Sequence, residues 1–270
     1  MMRMAKTATT KAEIDSIKQE RLIGVEQRAG MYALAASNMI LRGDGKANLY
    51  QGSCFDKAIT RAVQGHEANI GLINPPYAKS KADLSELRFV EHMLDTLRKG
   101  GTGIAIVPMS CATTASPEKV NLLKKHTLEA VMSMPPETFY PVGVVTCVIV
   151  FTAGIPHATS NRKTWFGYWR DDGFVKVKNL GRVDRDHKWP EIRDRWIEVF
   201  RNREVHAGES VIARCEASVV VPLSLAEKQR FAASASPCSC KVREIVQRPV
   251  ESTCPRPTTG ESPHAPAPSS

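Results

Sequence analysis

The chain is poor in the features that would staple it, export it or bury it in lipid. No stretch approaches the ~18 uninterrupted apolar residues that a membrane helix needs. The opening, Met1 to Arg21, is polar and mixed in charge and has no apolar signal core, so export is not expected. The seven cysteines, at 54, 111, 147, 215, 238, 240 and 254, are odd in number and include no Cys-x-x-Cys pair. That spacing argues against a zinc site and a disulfide framework, and reduced thiols in a cytoplasm are expected. Aromatic residues are scarce, at 6%, and none lies between Ala232 and Ser270, where 7 of the 17 prolines fall. Such a stretch cannot build a core and is expected to be disordered. Acidic residues are outnumbered, 28 Asp and Glu against 37 Lys and Arg, so the net charge of +9 favours polyanionic partners. Finally, none of the 21 residues before Leu22 is glycine.

What is present suffices for an ordinary globular domain with appendages. The 270 residues are 42% apolar and 24% charged. Residues 1–20 read as a polar helix or a lead-in. Leu22 to Val25, ending at Glu26, has the length of a buried strand. Residues 28–42 read as a helix with Met31, Leu34, Ala35 and Leu41 on one face, stopped by Gly43 and followed by an Asp44-Gly45 turn. Ala47 to Gly52 and Asn69 to Ile73 are further strands. A helix over about Asp83 to Arg98 carries the stripe Leu87, Val90, Leu94 and Leu97, and Gly100-Gly101 ends it. Thr102 to Pro108 is a strand, and Ser116-Pro117-Glu118 opens a helix with a serine cap and Pro at its first position. Leu128 to Met134 and Val144 to Phe151 are two more strands. Their short link lacks a helical pattern, so one of them is expected to run antiparallel. Strands and helices alternate at βα spacing, which predicts an α/β fold with a doubly wound, mostly parallel sheet.

The texture changes after 160. Thr164 to Arg170 and Phe174 to Lys178 flank Asp171-Asp172-Gly173, a hairpin signal, and a charged helix is expected over 184–203. All four tryptophans lie here, and residues 162–203 hold 12 Lys and Arg against 7 Asp and Glu. The expected organisation is therefore a domain over 1–160, a basic Trp-containing extension over 161–231 and a tail over 232–270. Arg162, Lys163, Arg170, Lys176 and Lys178 are candidates for phosphate contacts. Trp165 and Trp169 are read as packing on the sheet end, and His66, His92 and His126 as surface or satisfied residues.

The sharpest feature is Asn74-Pro75-Pro76-Tyr77, directly after an apolar strand. In open α/β sheets ligands bind at the carboxyl ends of strands, where this tetrapeptide must lie. A conjugated amino group or an amide nitrogen is a poor nucleophile because its lone pair is delocalised. Two acceptors placed on its hydrogens return electron density to nitrogen, and the Asn74 side-chain oxygen and the Pro75 carbonyl are suited to that task. A proline fixes the direction of the backbone there and has no N–H to compete. Tyr77 offers a flat face to a planar substrate.

In this setting the tetrapeptide resembles motif IV of S-adenosylmethionine-dependent amino-methyltransferases. Ile23-Gly24-Val25-Glu26, the helix Ala29 to Leu41, Gly43-Asp44-Gly45, the stretch Gly100 to Pro108 and Thr138-Phe139-Tyr140-Pro141-Val142-Gly143 are similar to segments of N6-adenine DNA methyltransferases. They look most like the modification subunits of type I restriction–modification systems. The resemblance runs from about residue 20 to 180. It implies a Rossmann-like methyltransferase sheet, S-adenosylmethionine as cofactor, no metal, and DNA as substrate. It also implies a specificity subunit and a second modification subunit as partners. Asn74, Pro75, Pro76 and Tyr77 would hold and activate an adenine flipped out of the duplex. Glu26 would accept from the cofactor ribose, and Gly52-Ser53-Cys54 stands where the family usually shows Gly-Asp, making Ser53 and Cys54 the candidates near the cofactor adenine. The family's Gly-rich motif I, and the central strand before it, would precede Leu22. The residues here are therefore expected to begin inside the domain, to lack its first strand, and to leave unpaired backbone where it belongs. Two other readings remain open: a non-catalytic remnant or split fragment, and a methyltransferase of release-factor glutamine or ribosomal guanine.

Overall fold

The computed structural model describes residues 8–41, 48–78, 80, 83–140 and 143–213. Gly43, Asp44, Gly45, Pro141, Val142 and the tail 232–270 lie outside them.

Helix α1 (Lys11–Gln19) starts at Thr10, whose side chain accepts from the Glu13 N–H while Glu13 reaches back to the Thr10 N–H. Strand β1 (Ile23–Glu26), helix α2 (Ala29–Leu41) and strand β2 (Asn48–Gln51) form a βαβ unit with the strands parallel. Asp56 caps α3 (Lys57–Gln64), a short helix that the sequence reading did not anticipate. Then come β3 (Ile70–Ile73), α4 (Glu86–Thr96), β4 (Thr102–Pro108), α5 (Met109–Thr113), α6 (Pro117–Lys125), β5 (Thr127–Ser133) and β6 (Thr146–Thr152). Ser116 caps α6 through the Lys119 N–H, with Pro117 at the first position as expected. The chain continues through α7 (His157–Ser160), β7 (Thr164–Tyr168), β8 (Val175–Val177), β9 (Gly181–Val183), α8 (Trp189–Asn202) and β10 (Ser210–Ala213).

The main sheet has six strands in the order β10-β7-β5-β6-β4-β3. Strands β3, β4, β5 and β7 run one way; β6 opposes both of its neighbours and β10 opposes β7. The expected antiparallel strand is β6, and β10 is a second one. Strand β6 is a near-continuous apolar run because it is covered on both faces. On one face Val90 and Leu94 of α4 and Leu122 and Leu123 of α6 pack on Val107, Val131, Ile149 and Phe166. On the other, Val199 and Phe200 of α8 pack on Ala130, Val150 and Trp165. Helix α4 sits unusually close to the sheet. Gly71 of β3 and Gly103 of β4 are direct partners across the ladder. A Cβ on Gly71 would stand 2.5 Å from Met93 Sδ, and one on Gly103 would stand 2.3 Å from Leu94 Cδ2. The two glycines form a notch for Met93 and Leu94, and so fix α4 over the start of the site.

The β1–β2 pair is a separate two-stranded sheet. It reaches the main body through α3 and the turn after β2: Cys54 O lies 2.6 Å from His92 Nε2, and the Phe55 and Phe89 rings pack edge-on at 5.0 Å. Among the described residues β3 pairs only with β4 and β1 only with β2, so each presents one open edge. Leu72 of β3 is 75% exposed, Ile70 59% and Leu41 of α2 84%. The stripe expected to bury α2 is thus not buried: Met31 and Leu34 face solvent, and no residue of this helix is buried. Each sheet thus ends in an open strand among the described residues, with apolar side chains exposed on β3 and α2.

Two further expectations change. The hairpin around Asp171-Asp172-Gly173 does not form: β7 pairs with β5 and β10, while β8 pairs with β9. The turn chemistry itself is real, since Gly173 has φ of 78° and its N–H donates to Asp171 Oδ1. The chain then turns away because Asp172, buried, is clamped by Arg182 of β9 and Phe174 packs on Trp189 of α8. The boundary drawn near 160 falls between β6 and β7, two strands of one sheet, so residues 164–213 complete the domain instead of adding to it.

Candidate active site

Because β3, β4 and β5 are co-directional, their carboxyl ends gather three loops: 74–78, the Met109–Thr113 turn of helix and the segment from Met134. Asn74 leaves β3 exposed, Pro75 is buried, Pro76 is exposed and Tyr77 is half-buried. The Ala78 N–H donates to Glu86 Oε1 at 2.8 Å, closing the loop onto the first turn of α4. The other carboxylate oxygen, Oε2, lies 3.9 Å from Cys111 Sγ in α5. Burial, reinforced by Glu86, pushes the Cys111 thiol up to about 12, so it stays protonated and donates to the carboxylate. Tyr77 points its hydroxyl inward, where the oxygen is buried and has no hydrogen-bond partner among the described residues. Burial first, then the Cys147 and Cys111 thiols and Glu86, push its phenol above the ordinary range. The ring is therefore wedged by its polar end, which suits a stacking platform better than a proton carrier. Tyr77→Phe should accordingly leave the fold intact and stabilise it by about 1 kcal/mol, because an unpaired buried hydroxyl is removed; thermal unfolding of the variant measures this, and a clear loss of stability would contradict the inward placement.

Glu26 and Ser53 stand near the ends of paired strands: Glu26 lies opposite Gln51, two residues before Ser53. Glu26 is half-buried at the end of β1, its Oε1 accepts the Arg28 N–H at 2.8 Å, and its carbonyl accepts the Gly52 N–H at 3.0 Å. Ser53 Oγ accepts the Phe55 N–H at 3.3 Å. Cys54 contributes its carbonyl, not its thiol: Thr60 Oγ1 donates to it at 3.0 Å and His92 approaches it, while burial pushes the thiol up. The structure thus places the candidates in two groups, Glu26 with Ser53 and Cys54, and Asn74 with Pro75, Pro76 and Tyr77. Helix α4 joins them, Glu86 holding one and Phe89 and His92 the other. Sequence reasoning missed Glu86. The signal was available: Glu86, Val90 and Leu94 follow the i, i+4, i+8 rule, so an acid stands on the buried stripe.

The basic candidates are mostly engaged. Arg162 pairs with Glu129. Lys176 pairs with Glu137 and lies 4.9 Å from the Tyr140 ring centroid, tying the β8–β9 hairpin to the Thr138-Phe139-Tyr140 element. Arg170 donates to the Gly208 carbonyl and lies over Tyr168. Lys163 and Lys178 are exposed. Trp165 is 1% exposed and donates to the Glu204 carbonyl at 2.9 Å. Trp169 stacks on Trp189 at 5.6 Å with 9° between planes, beside Trp196. His66 meets the Tyr50 hydroxyl at 2.8 Å, and His126 Nε2 lies 3.4 Å from Asp95. Among the described residues no helix is long and apolar enough to cross a membrane.

An α/β sheet of this direction pattern, with Asn-Pro-Pro-Tyr at the end of a parallel strand, is the arrangement that the resemblance to amino-methyltransferases implies. The chain belongs to the N-6 DNA Methylase family, whose pattern it matches over residues 2–217. It is 41% identical over 193 residues to the type II restriction enzyme and methyltransferase RM.BcgI of Heyndrickxia coagulans, covering 68% of this chain and 30% of that protein. It is 28% identical over 178 residues to the type I restriction enzyme EcoKI methylase subunit of Escherichia coli, covering 59% and 34% respectively. The chain spans about a third of the length of these curated relatives. The fold resembles the type I restriction-modification methyltransferase subunit from Streptococcus thermophilus, with a TM-score of 0.57 at 20% identity over 71% of this chain and 44% of that one. It also resembles a modification subunit of a putative type I restriction enzyme from Vibrio vulnificus, with a TM-score of 0.58 at 14% identity over 83% and 52%.

Proposed function

We propose that this chain is the acceptor-side part of a DNA adenine-N6 methyltransferase of a restriction–modification system. The observation that carries this is the exposed Asn74 beside a buried Pro75 at the carboxyl end of β3, in a loop pinned from behind. An adenine amino group is out of reach inside a duplex, so the base is flipped into this loop. The Asn74 side-chain oxygen and the Pro75 carbonyl accept its two hydrogens. As the nitrogen becomes positive in the transition state, the same acceptors hold it more strongly than in the ground state, which is the condition for acceleration. The exposed part of the Tyr77 ring stacks on the base.

The cofactor of this family, S-adenosylmethionine, supplies an electrophilic methyl group. The residues present fit its nucleoside half. Glu26, partly buried at a strand end, keeps acceptor capacity beyond the Arg28 N–H for a pair of ribose hydroxyls, and Ser53, two residues after its strand partner Gln51, is the candidate for the adenine. The open edges of β1 and β3 favour a site completed by a further parallel strand between them. DNA is the proposed partner, with specificity and second modification subunits as in type I systems. Lys163 and Lys178 are the basic side chains best placed to reach phosphate.

The test is transfer of a labelled methyl group to unmethylated DNA followed by nucleoside analysis. Label in N6-methyl-2′-deoxyadenosine supports the reading. Label only in release-factor glutamine or ribosomal RNA guanine transfers the site to another acceptor.

A further inference from the structure

Glu86 is an unusual residue to find buried. It is 9% exposed and heads the apolar stripe of α4. Removing a carboxylate from water costs far more than an apolar side chain at the same place would, and no salt bridge to it is formed among the described residues. Two things offset the cost. The carboxylate lies in the first turn of a helix of 11 residues, where the backbone N–H groups favour negative charge. It also accepts from two groups that belong to different segments: the Ala78 N–H at 2.8 Å, one residue beyond Tyr77, and Cys111 Sγ at 3.9 Å, in α5 beyond β4. Neighbouring Ser85, at the cap position, makes no side-chain cap bond, so the helix start is organised around the acid and not around the serine. The notch made by Gly71 and Gly103 holds α4 at a fixed height. An acid anchored on that helix is a rigid point from which to hold a loop.

We propose that Glu86 is a positioning residue for the acceptor site: its carboxylate clamps the loop after β3 to the turn of helix after β4 and so sets the direction in which Asn74 and the Pro75 carbonyl point. This rests on the proposed methyl transfer for its catalytic consequence, but the clamp itself is a property of the loop. An apolar residue at this position, as in Glu86→Leu, keeps the helix and its packing and removes only the clamp. A neutral amide, as in Glu86→Gln, keeps the bond to Ala78, because the amide oxygen accepts as the carboxylate does.

The experiment compares the full chain with Glu86→Leu and Glu86→Gln, each with an Asn74→Ala control. Amide hydrogen exchange at Ala78 is read first. We expect Glu86→Leu to exchange about tenfold faster or more at Ala78 with thermal unfolding unchanged or raised, and Glu86→Gln to stay near the parent. For methyl transfer, read in the chain extended by a strand between β1 and β3, Glu86→Leu should lose about 10²-fold in kcat with KM little changed, as a misaimed acceptor would, and Glu86→Gln should retain most activity. Ala78 protection unchanged in Glu86→Leu, or Glu86→Gln exchanging as fast as Glu86→Leu, overturns the clamp. Wild-type kcat in Glu86→Leu overturns its role in positioning. If a folded chain extended by a strand between β1 and β3 binds the cofactor and transfers no methyl group, the proposed function fails, while exchange at Ala78 still decides whether Glu86 holds the loop.

Discussion

Asn74→Ala is expected to reduce methyl transfer by about 10²–10³-fold, the usual cost of deleting one preorganised group that stabilises transition-state charge. Its thermal unfolding should match that of the parent, because Asn74 is exposed and exposed positions seldom matter for stability. The loss should fall on kcat. The acceptor matters most when positive charge grows on nitrogen, so binding of DNA and cofactor changes little. Asn74→Asp is the informative companion. A carboxylate accepts hydrogen bonds too, but it offers a full charge where the amide offers a dipole, and its residual rate separates the need for an acceptor from the need for an amide. If Asn74→Ala transfers at the parental rate, the loop after β3 is a turn and nothing more.

The second large effect concerns the interruption between β1 and β3. A chain that carries a strand-forming segment ahead of residue 22, able to run parallel between these strands, should be much more stable. Such a strand pairs two rows of unsatisfied backbone groups and covers Ile70 and Leu72, now 59% and 75% exposed. Burying two such side chains contributes on the order of 3 kcal/mol before any hydrogen bonds are counted. For a domain of this size that corresponds to a rise in Tm of roughly 6–12 °C. Amide exchange should slow along both Ile23–Glu26 and Ile70–Ile73, the two edges that gain a partner. Protection at one edge only would mean that the added strand docks without closing the sheet.

Much of this architecture is written locally. Thr102 to Pro108 alternates buried and half-buried positions along its whole length, and Ser116-Pro117 marks a helix start that needs no tertiary help. Strands β4 to β6 are short, largely apolar runs that find their place in a covered sheet. What the sequence concealed depended on distant partners. Residues 29–41 are apolar on most sides, yet none of them is buried among the described residues, so apolar character predicted a burial without saying what would supply it. The Asp171-Asp172-Gly173 turn was legible, but the pairing was not: turn chemistry bends the chain without choosing the next strand's neighbour, and the Arg182–Asp172 pair and the Trp189 face chose β9. Of the candidate site, Asn74 to Tyr77 stand out in the sequence, whereas Glu86 looks like one more helix-opening acid and only the fold shows its carboxylate buried under the loop.

The most direct measurement is transfer of labelled methyl from S-adenosylmethionine to adenine N6 in unmethylated DNA, made on the chain extended by the upstream strand and Gly-rich turn of its family, with and without Asn74→Ala. Label is expected in N6-methyl-2′-deoxyadenosine with the extended chain and at least a hundredfold less with Asn74→Ala, on the scale of about 10²–10³ above. Equal labelling of the two, or no labelling from a folded extended chain that binds the cofactor, would contradict it.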